Sequence, residues 1–311
     1  MPTNQETAST VLDWTARSEQ PRRSVFGNYR AQEPSGITST ADKPAVSPAP
    51  ITHLQSAIDL ALARSFIYSF LSRAYADPAS SEWAWLCDFQ TQDALASATQ
   101  VALTGSLRHA AETAVCPRFQ LDQFDAFLND YLSAFGHAAR GQCPLNEIEY
   151  GDLKADPLIQ PHRLADLAAF YRAFGLEVTD EAHERHDHLC LEAEFMSVLA
   201  AKEAYALEHQ LDAEQVALCR DAQKKFLREH LGRWLPAFAR RLGRMLGEGA
   251  LVSLAHFTHA FVLAECARFD LTPGSDDLLL RPADREAESM CDSCGLRQLP
   301  PGAASGTTSG L

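Results

Sequence analysis

The sequence predicts an all-α fold, a single helical bundle of about eight to ten helices. Two observations carry that expectation. Apolar residues recur at helical spacing through nearly all of residues 51–285, and no alternating strand pattern of useful length or internal repeat interrupts them. The connections between stripes are mostly short, as neighbouring helices of a bundle require.

Taken in order, Leu54, Ile58, Leu62, Phe66 and Phe70 recur every fourth residue, with Leu71 and Tyr75 widening the stripe until Asp77 and Pro78 end it. Phe124, Phe127, Leu128, Tyr131, Leu132 and Phe135 form a second stripe, closed by Gly136 at the position of a helix C-cap. Pro161 suits a first helical turn, after which Leu164, Leu167, Ala168, Tyr171 and Phe174 run to Gly175. A fourth stripe holds Leu189, Ala193, Met196, Leu199 and Ala200, and Asp187 is a possible N-cap. Further amphipathic segments cover 212–231, 233–247 and 251–269. The last two carry Trp234, Phe238, Leu242 and Met245, then Leu254, Phe261 and Val262.

The ends read differently. Residues 1–50 are rich in Pro, Ser, Thr, Ala and Gln, too poor in large apolar groups to offset the entropy of ordering, and are expected to form a disordered arm. Residues 286–311 are expected to form a flexible tail, ending in the low-complexity LPPGAASGTTSGL. The first twenty residues lack a basic region followed by an apolar run, and no stretch is expected to span a membrane. Arg22 and Arg23 in PRRSVFG hint at a twin-arginine signal, but NYRAQEPSGITST follows where an apolar segment belongs.

A formal charge of -14 over 311 residues disfavours a nucleic-acid partner, since no gathering of basic residues is visible. An acidic surface suits a basic peptide, and it equally suits solubility alone. The 8 cysteines are too dispersed for a disulfide scaffold, so reduced thiols in a cytoplasm are expected.

Two connections are long for a bundle, His137 to Gln160 and the turn from Gly175 into the fourth stripe, and function is sought there. The second holds Glu177, Asp180, Glu181, Glu184, Asp187, Glu192 and Glu194 against the single basic Arg185. Acids at a helix start are favoured by its dipole, which accounts for the first turn; Glu192 and Glu194 continue the charge past it. A solvated helix start and an electrostatic docking site both stay open. His183, His186, His188 and Cys190 invite a metal reading, but only His186 and Cys190 have the spacing to share a helix face after Asp187. Cys291 and Cys294 form a CxxC, yet no second ligand pair completes a zinc or iron–sulfur set. They are a spare thiol pair, or a transient metal or mixed-disulfide site. No P-loop, dinucleotide-binding turn, nucleophile elbow or HExxH occurs, so enzyme classes lack their usual motifs and no cofactor is expected.

With those residues in view, DLAAFYRAFGLEVTDEAHERHDHLCLEAEFMSVLAAKEA, residues 166–204, resembles the signature of the TorD/NarJ-type molybdoenzyme assembly chaperones. There an fYxafGl segment leads through an acidic turn to a pDHl…ELEFM helix. Tyr171, Phe174, Gly175, Asp187, His188, Glu192, Glu194, Phe195, Met196, Leu199 and Glu203 match; His186 replaces the usual proline and Ala193 a common leucine. RSFIYSFLSRAYADP, residues 64–78, is similar to the family's first core helix. YLSAFGHAARGQCPLNEIEYG resembles its Y..lF…P..pyE.ey loop through Pro144, Glu147, Glu149 and Tyr150. CPLNEIEYG suggests the branch serving type II DMSO-reductase-family enzymes such as nitrate, selenate or perchlorate reductases.

The resemblance implies a cytoplasmic, non-catalytic protein. It would bind the apo catalytic subunit of a molybdenum oxidoreductase, often at its twin-arginine signal peptide, until molybdopterin is inserted. The alternative is a metal-binding or redox-active helical protein using the CxxC and the histidines. The client-binding residues are expected to be Glu147, Glu149, Tyr150, Tyr171, Asp187, His188 and Glu192. In this picture the loop at 143–151 and the acidic turn at 177–194 flank one groove. Glu147, Glu149, Asp187 and Glu192 meet a basic segment there, and Tyr150 takes apolar side chains. Asp187 and His188 are expected to be exposed, while Tyr171, Phe174, Phe195 and Met196 are mainly scaffold.

Overall fold

A computed structural model describes residues 51–103, 116–136, 141–151, 159–179 and 184–281. The expected arm 1–50 and tail 286–311, with Cys291 and Cys294, lie outside the described residues, as do Asp180, Glu181 and His183. Among the described residues there are nine α-helices and no strand. They are α1 (Ile51–Ala74), α2 (Ser80–Cys87), α3 (Phe89–Ala102), α4 (Phe124–Phe135), α5 (Ile159–Ala173), α6 (Leu189–Glu208), α7 (Ala213–Glu229), α8 (Leu231–Leu246) and α9 (Ala250–Arg268).

Helix α1 is the central post. The stripe read from sequence is partly right: Ile58 and Phe70 are buried, but Leu54, Leu62 and Phe66 are only half-buried. Arg64, Ile67 and Tyr68, on another side, are buried completely, because α1 packs against α6, α3 and α2 at once. Gly136 takes a φ of 69° after α4 and Gly175 one of 77° after α5, both in the region where a side chain would be strained.

One buried ion cluster ties the bundle together. Arg64 of α1 donates from Nε to Glu265 Oε1 of α9 at 2.8 Å, and from Nη1 to Glu203 Oε2 of α6 at 3.2 Å. Its Nη2 reaches Glu265 Oε2 and Gln223 Oε1 of α7, each at 2.6 Å. Burial opposes both charges, yet each holds the other ionised: Glu265 raises Arg64, and Arg64 keeps Glu265 below the usual carboxylate range. Helix α9 is long and apolar enough to cross a membrane, against the expectation of no such stretch, but 67% of that window is buried within the protein. With Glu265 in the Arg64 cluster, it is a core helix here.

Pro236, in the sixth position of α8, has no N–H to give to the carbonyl of Gly232 four residues earlier. That carbonyl is taken instead by Gly274 N at 2.9 Å, from the segment that follows α9. A Cβ on residue 274 would lie 1.8 Å from Arg233 O, so only glycine permits the approach. From this anchor the chain runs on as a strap to Leu280, which bridges antiparallel to Tyr150.

Candidate functional site

Among the described residues, the two long connections are hydrogen-bonded to each other and leave no groove between them. Asn146 and His188 form an antiparallel bridge, with Glu147 N donating to Asp187 O at 2.9 Å and Leu189 N to Leu145 O at 2.8 Å. Residues 143–151 are consequently not a surface loop: Cys143, Leu145, Ile148 and Tyr150 are core. A 3-10 turn, Glu147–Glu149, aims its carboxylates into a cluster drawn from four segments.

Glu147 is fully buried, and three side chains grip it: Arg233 Nη2 at 2.8 Å and Arg163 Nη1 at 3.2 Å on Oε1, and His230 Nδ1 at 2.9 Å on Oε2. Burial alone would raise its pKa; the hydrogen bond and charge of His230, joined by Arg233, outweigh that and lower it. Asp187 receives Arg185 as a fork, Nε at 2.9 Å and Nη2 at 2.8 Å, together with Asn146 Nδ2 and Ile148 N, each at 3.2 Å. Glu149 lies between Arg185 Nη2 at 3.7 Å and Arg281 Nη2 at 3.5 Å. The strap delivers Arg281, whose backbone N donates to Glu149 O at 2.8 Å.

Glu192 differs. Trp234 Nε1 donates to its Oε2 at 3.1 Å, and its Oε1 has no hydrogen-bond partner. Burial and the adjacent Glu147 push its pKa well above the usual carboxylate range, which favours the neutral form. Tyr150 packs on Trp234 and donates its hydroxyl to Pro144 O at 2.9 Å; Tyr171 donates to His186 O at 2.7 Å.

The expectation of exposure for Asp187 and His188 is therefore wrong: they are 0% and 5% exposed. Nor are Glu147, Glu149 or Glu192 open to a basic segment, or Tyr150 to an apolar one, since each is buried with its polar atoms turned inward. The helix cap also moves by one residue. His188 is the N-cap of α6, its Nδ1 accepting from Cys190 N at 3.3 Å, because Asp187 is committed to Arg185 and Ile148. Burial lowers the His188 pKa, consistent with a neutral ring that accepts at Nδ1. Tyr171, Phe195 and Met196 are buried scaffold as expected, and Phe174 is half-buried.

Sequence reasoning missed the partners Arg163, His230, Arg233 and Arg281. Its one available signal was physical: acids that are to be buried need partners, and none of those was close in sequence. Beside the cluster lies an open cleft of about 200 Å³ between α5 and the following turn, lined by Tyr171, Arg172, Leu176, Glu177, Val178 and His186. Glu177 and Glu184 are exposed near it. Among the described residues, no group of three or more His, Cys, Asp or Glu side chains is placed to hold a metal ion. His186 stacks on Tyr171 instead.

A family model described as nitrate reductase delta subunit matches residues 92–240. The perchlorate reductase assembly chaperone protein of Dechloromonas aromatica (strain RCB) is 28% identical over 207 residues, which is 66% of this chain and 89% of that protein. The selenate reductase assembly chaperone protein of Thauera selenatis is 37% identical over 116 residues, 36% of this chain and 55% of that one. Chaperone protein TorD of Vibrio cholerae serotype O1 (strain M66-2) is 30% identical over 116 residues, 37% of this chain and 51% of that protein. The chain thus covers most of the first relative and about half of the other two. No solved structure matches.

Proposed function

We infer, from its similarity to TorD/NarJ-type chaperones, that this chain belongs with them as an assembly chaperone, holding the catalytic subunit of a molybdenum-containing oxidoreductase until its cofactor is in place. The observation that carries the reading is convergence. Residues 144–150, 171–179 and 184–203, which carry the family resemblance, lie together through the bridge of Asn146 to His188, beside a cleft open to solvent. Such a unit is rigid where it is buried and accessible at its edge, which suits recognition of another chain.

In this proposal Glu147, Glu149, Tyr150, Tyr171, Asp187, His188 and Glu192 serve the client as the frame beneath the docking surface, not as its contacts. The cleft takes an apolar side chain against Leu176 and Val178. Glu177 and Glu184 meet neighbouring basic groups, as a twin-arginine signal peptide would present. Exposed charge pairs are each worth little, so the complex releases its client readily. The chain acts in the cytoplasm, before export, and performs no chemistry itself.

The test is genetic and analytical. Removing the chain from its host should leave the client subunit synthesised but short of molybdenum and inactive, and resupplying it should restore both. Unchanged metal content and activity without the chain would end the chaperone reading. Purified chain should bind the apo subunit and not the cofactor-loaded one.

A further inference from the structure

The strap that follows α9 is tied down differently from the helices it lies on. None of residues 271–281 is buried, whereas α8 buries Leu231, Trp234, Leu235, Phe238 and Leu242. At the strap's near end Gly274 N takes the Gly232 carbonyl that Pro236 leaves free, with its backbone pressed against Arg233 O. Beyond that point the strap is a small unit of its own: Leu278 N donates to Ser275 O and Asp277 N to Ser275 Oγ, each at 3.2 Å. Its clips to the helices are surface ion pairs. Asp276 reaches His259 Nε2 of α9 at 2.8 Å and Arg240 Nη1 of α8 at 3.3 Å, and Asp277 reaches Arg244 Nη1 of α8 at 3.0 Å. The Asp277 and Arg244 side chains are 75% and 59% exposed, so such pairs hold weakly. Leu279 is exposed, and Leu278 and Leu280 pack on the core only in part. At the far end Gly151 N donates to Leu279 O and Arg281 N to Glu149 O, each at 2.8 Å.

We propose that residues 275–281 form a latch, which swings about Gly274 while the bundle stays folded and which a client seated in the cleft holds shut. The second half rests on the chaperone reading; the first does not. A segment with few buried contacts and exposed ties opens at a smaller free-energy cost than the helices beneath it unfold. The pivot falls at Gly274 because its partner lies inside α8, where losing the bond would strand the carbonyl of the buried Gly232. The link to the cleft runs through Glu149. His186 lines the cleft, and its neighbour Arg185 is forked on Asp187 and reaches Glu149 Oε1 at 3.7 Å. Arg281 of the latch reaches Glu149 Oε2 at 3.5 Å. Glu149 and Arg281 have other partners as well, so this pair is one tie among several. A client that orders Arg185 from outside steadies Glu149, and with it the bridge of Tyr150 to Leu280 and the bond from the Arg281 amide. By reciprocity, a closed latch strengthens client binding to the same degree.

Hydrogen exchange of the full chain, resolved by residue with NMR in rising sub-denaturing urea, tests both halves. In the free chain the Gly151 and Arg281 amides should exchange together, faster than those of α8 and α9, at a rate nearly independent of urea because local opening exposes little surface. The Gly274 amide should follow α8. Asp276→Asn with Asp277→Asn removes the charge of the clips and should speed Gly151 and Arg281 about three- to tenfold, with α8 unchanged. The latch is overturned if Gly151 and Arg281 share the rate and urea slope of α8, if Gly274 exchanges with them, or if the double variant is no faster than the parent. Adding the apo catalytic subunit should slow Gly151 and Arg281 together with the cleft in the parent, and slow the cleft alone in Arg185→Gln. Latch rates that the bound subunit leaves unmoved in the parent, or slows equally in Arg185→Gln, would refute the coupling and leave the chaperone reading standing. Should Arg185→Gln not fold, the parent decides. A chain that binds no apo subunit refutes the chaperone reading and the coupling with it, while the free-chain rates still decide whether the latch opens.

Discussion

Two charge clusters in this protein use the same residue types in opposite arrangements. Around Arg64 the cation is central, 2% exposed, and acids from α6 and α9 close over it. Around Glu147 the acid is central, and arginines from α5, α8, the turn before α6 and the strap form a rim that solvent reaches. The first joins helices to helices, and Arg220 and Arg268, paired to Glu203 and Glu265, form its solvent edge. The second is built mostly from turns, and its outer layer can meet another molecule. Burial of charge is common to both; they differ in the sign of the central charge and in being built from helices or from turns.

The largest effect should come from the inner cluster. Arg64→Ala leaves Glu203 and Glu265 buried without their main counter-charge and should destabilise by about 3–5 kcal/mol in urea unfolding. A loss below about 1 kcal/mol would mean that the helices do not depend on it. Glu147→Ala should cost less, about 2–3 kcal/mol, since Arg163 and Arg233 can turn to water once released. If it cost as much as Arg64→Ala, the rim would be as closed as the interior and the contrast would fail.

Glu192 offers a change of opposite sign. Its folded pKa lies above the unfolded value, so its contribution is complete below about pH 4 and is lost as pH rises through the folded value. Glu147 behaves inversely, contributing above its unfolded pKa and losing that as pH falls. Glu192→Gln keeps an acceptor for Trp234 and should stabilise by about 1 kcal/mol at pH 8, with little change at pH 4. Thermal unfolding across that range checks it, and a variant less stable than the parent at pH 8 would show Glu192 to be ionised. Smallest of all, Arg163→Gln should change stability by less than about 1 kcal/mol, as suits a half-exposed member of a redundant set.

The sequence made the helices legible wherever large apolar residues repeat, which covers α1 and α4 to α9. It did not reveal α2 and α3. The first has only eight residues, and the second buries Thr91, Ala94, Ala98, Thr99 and Ala102, with Leu95 its one large buried apolar side chain. The site was legible in composition and inverted in placement. Glu147 looks the same in sequence whether it faces water or Arg233, 86 residues away, and Arg281 is 132 residues from Glu149. Nor does an isolated Gly274 announce that it closes on Pro236-bearing α8 and so carries Arg281 to the turn.

Hydrogen–deuterium exchange of the full chain, alone and bound to its apo catalytic subunit, tests the central claim most directly. The account predicts a complex whose new protection covers residues 163–178 and 184–186 and the strap up to Arg281, with α1 and α6 unchanged because they are already slow. No complex with the apo subunit, or protection confined to the surface around Phe89 and Leu121, which are 80% and 69% exposed, would contradict it.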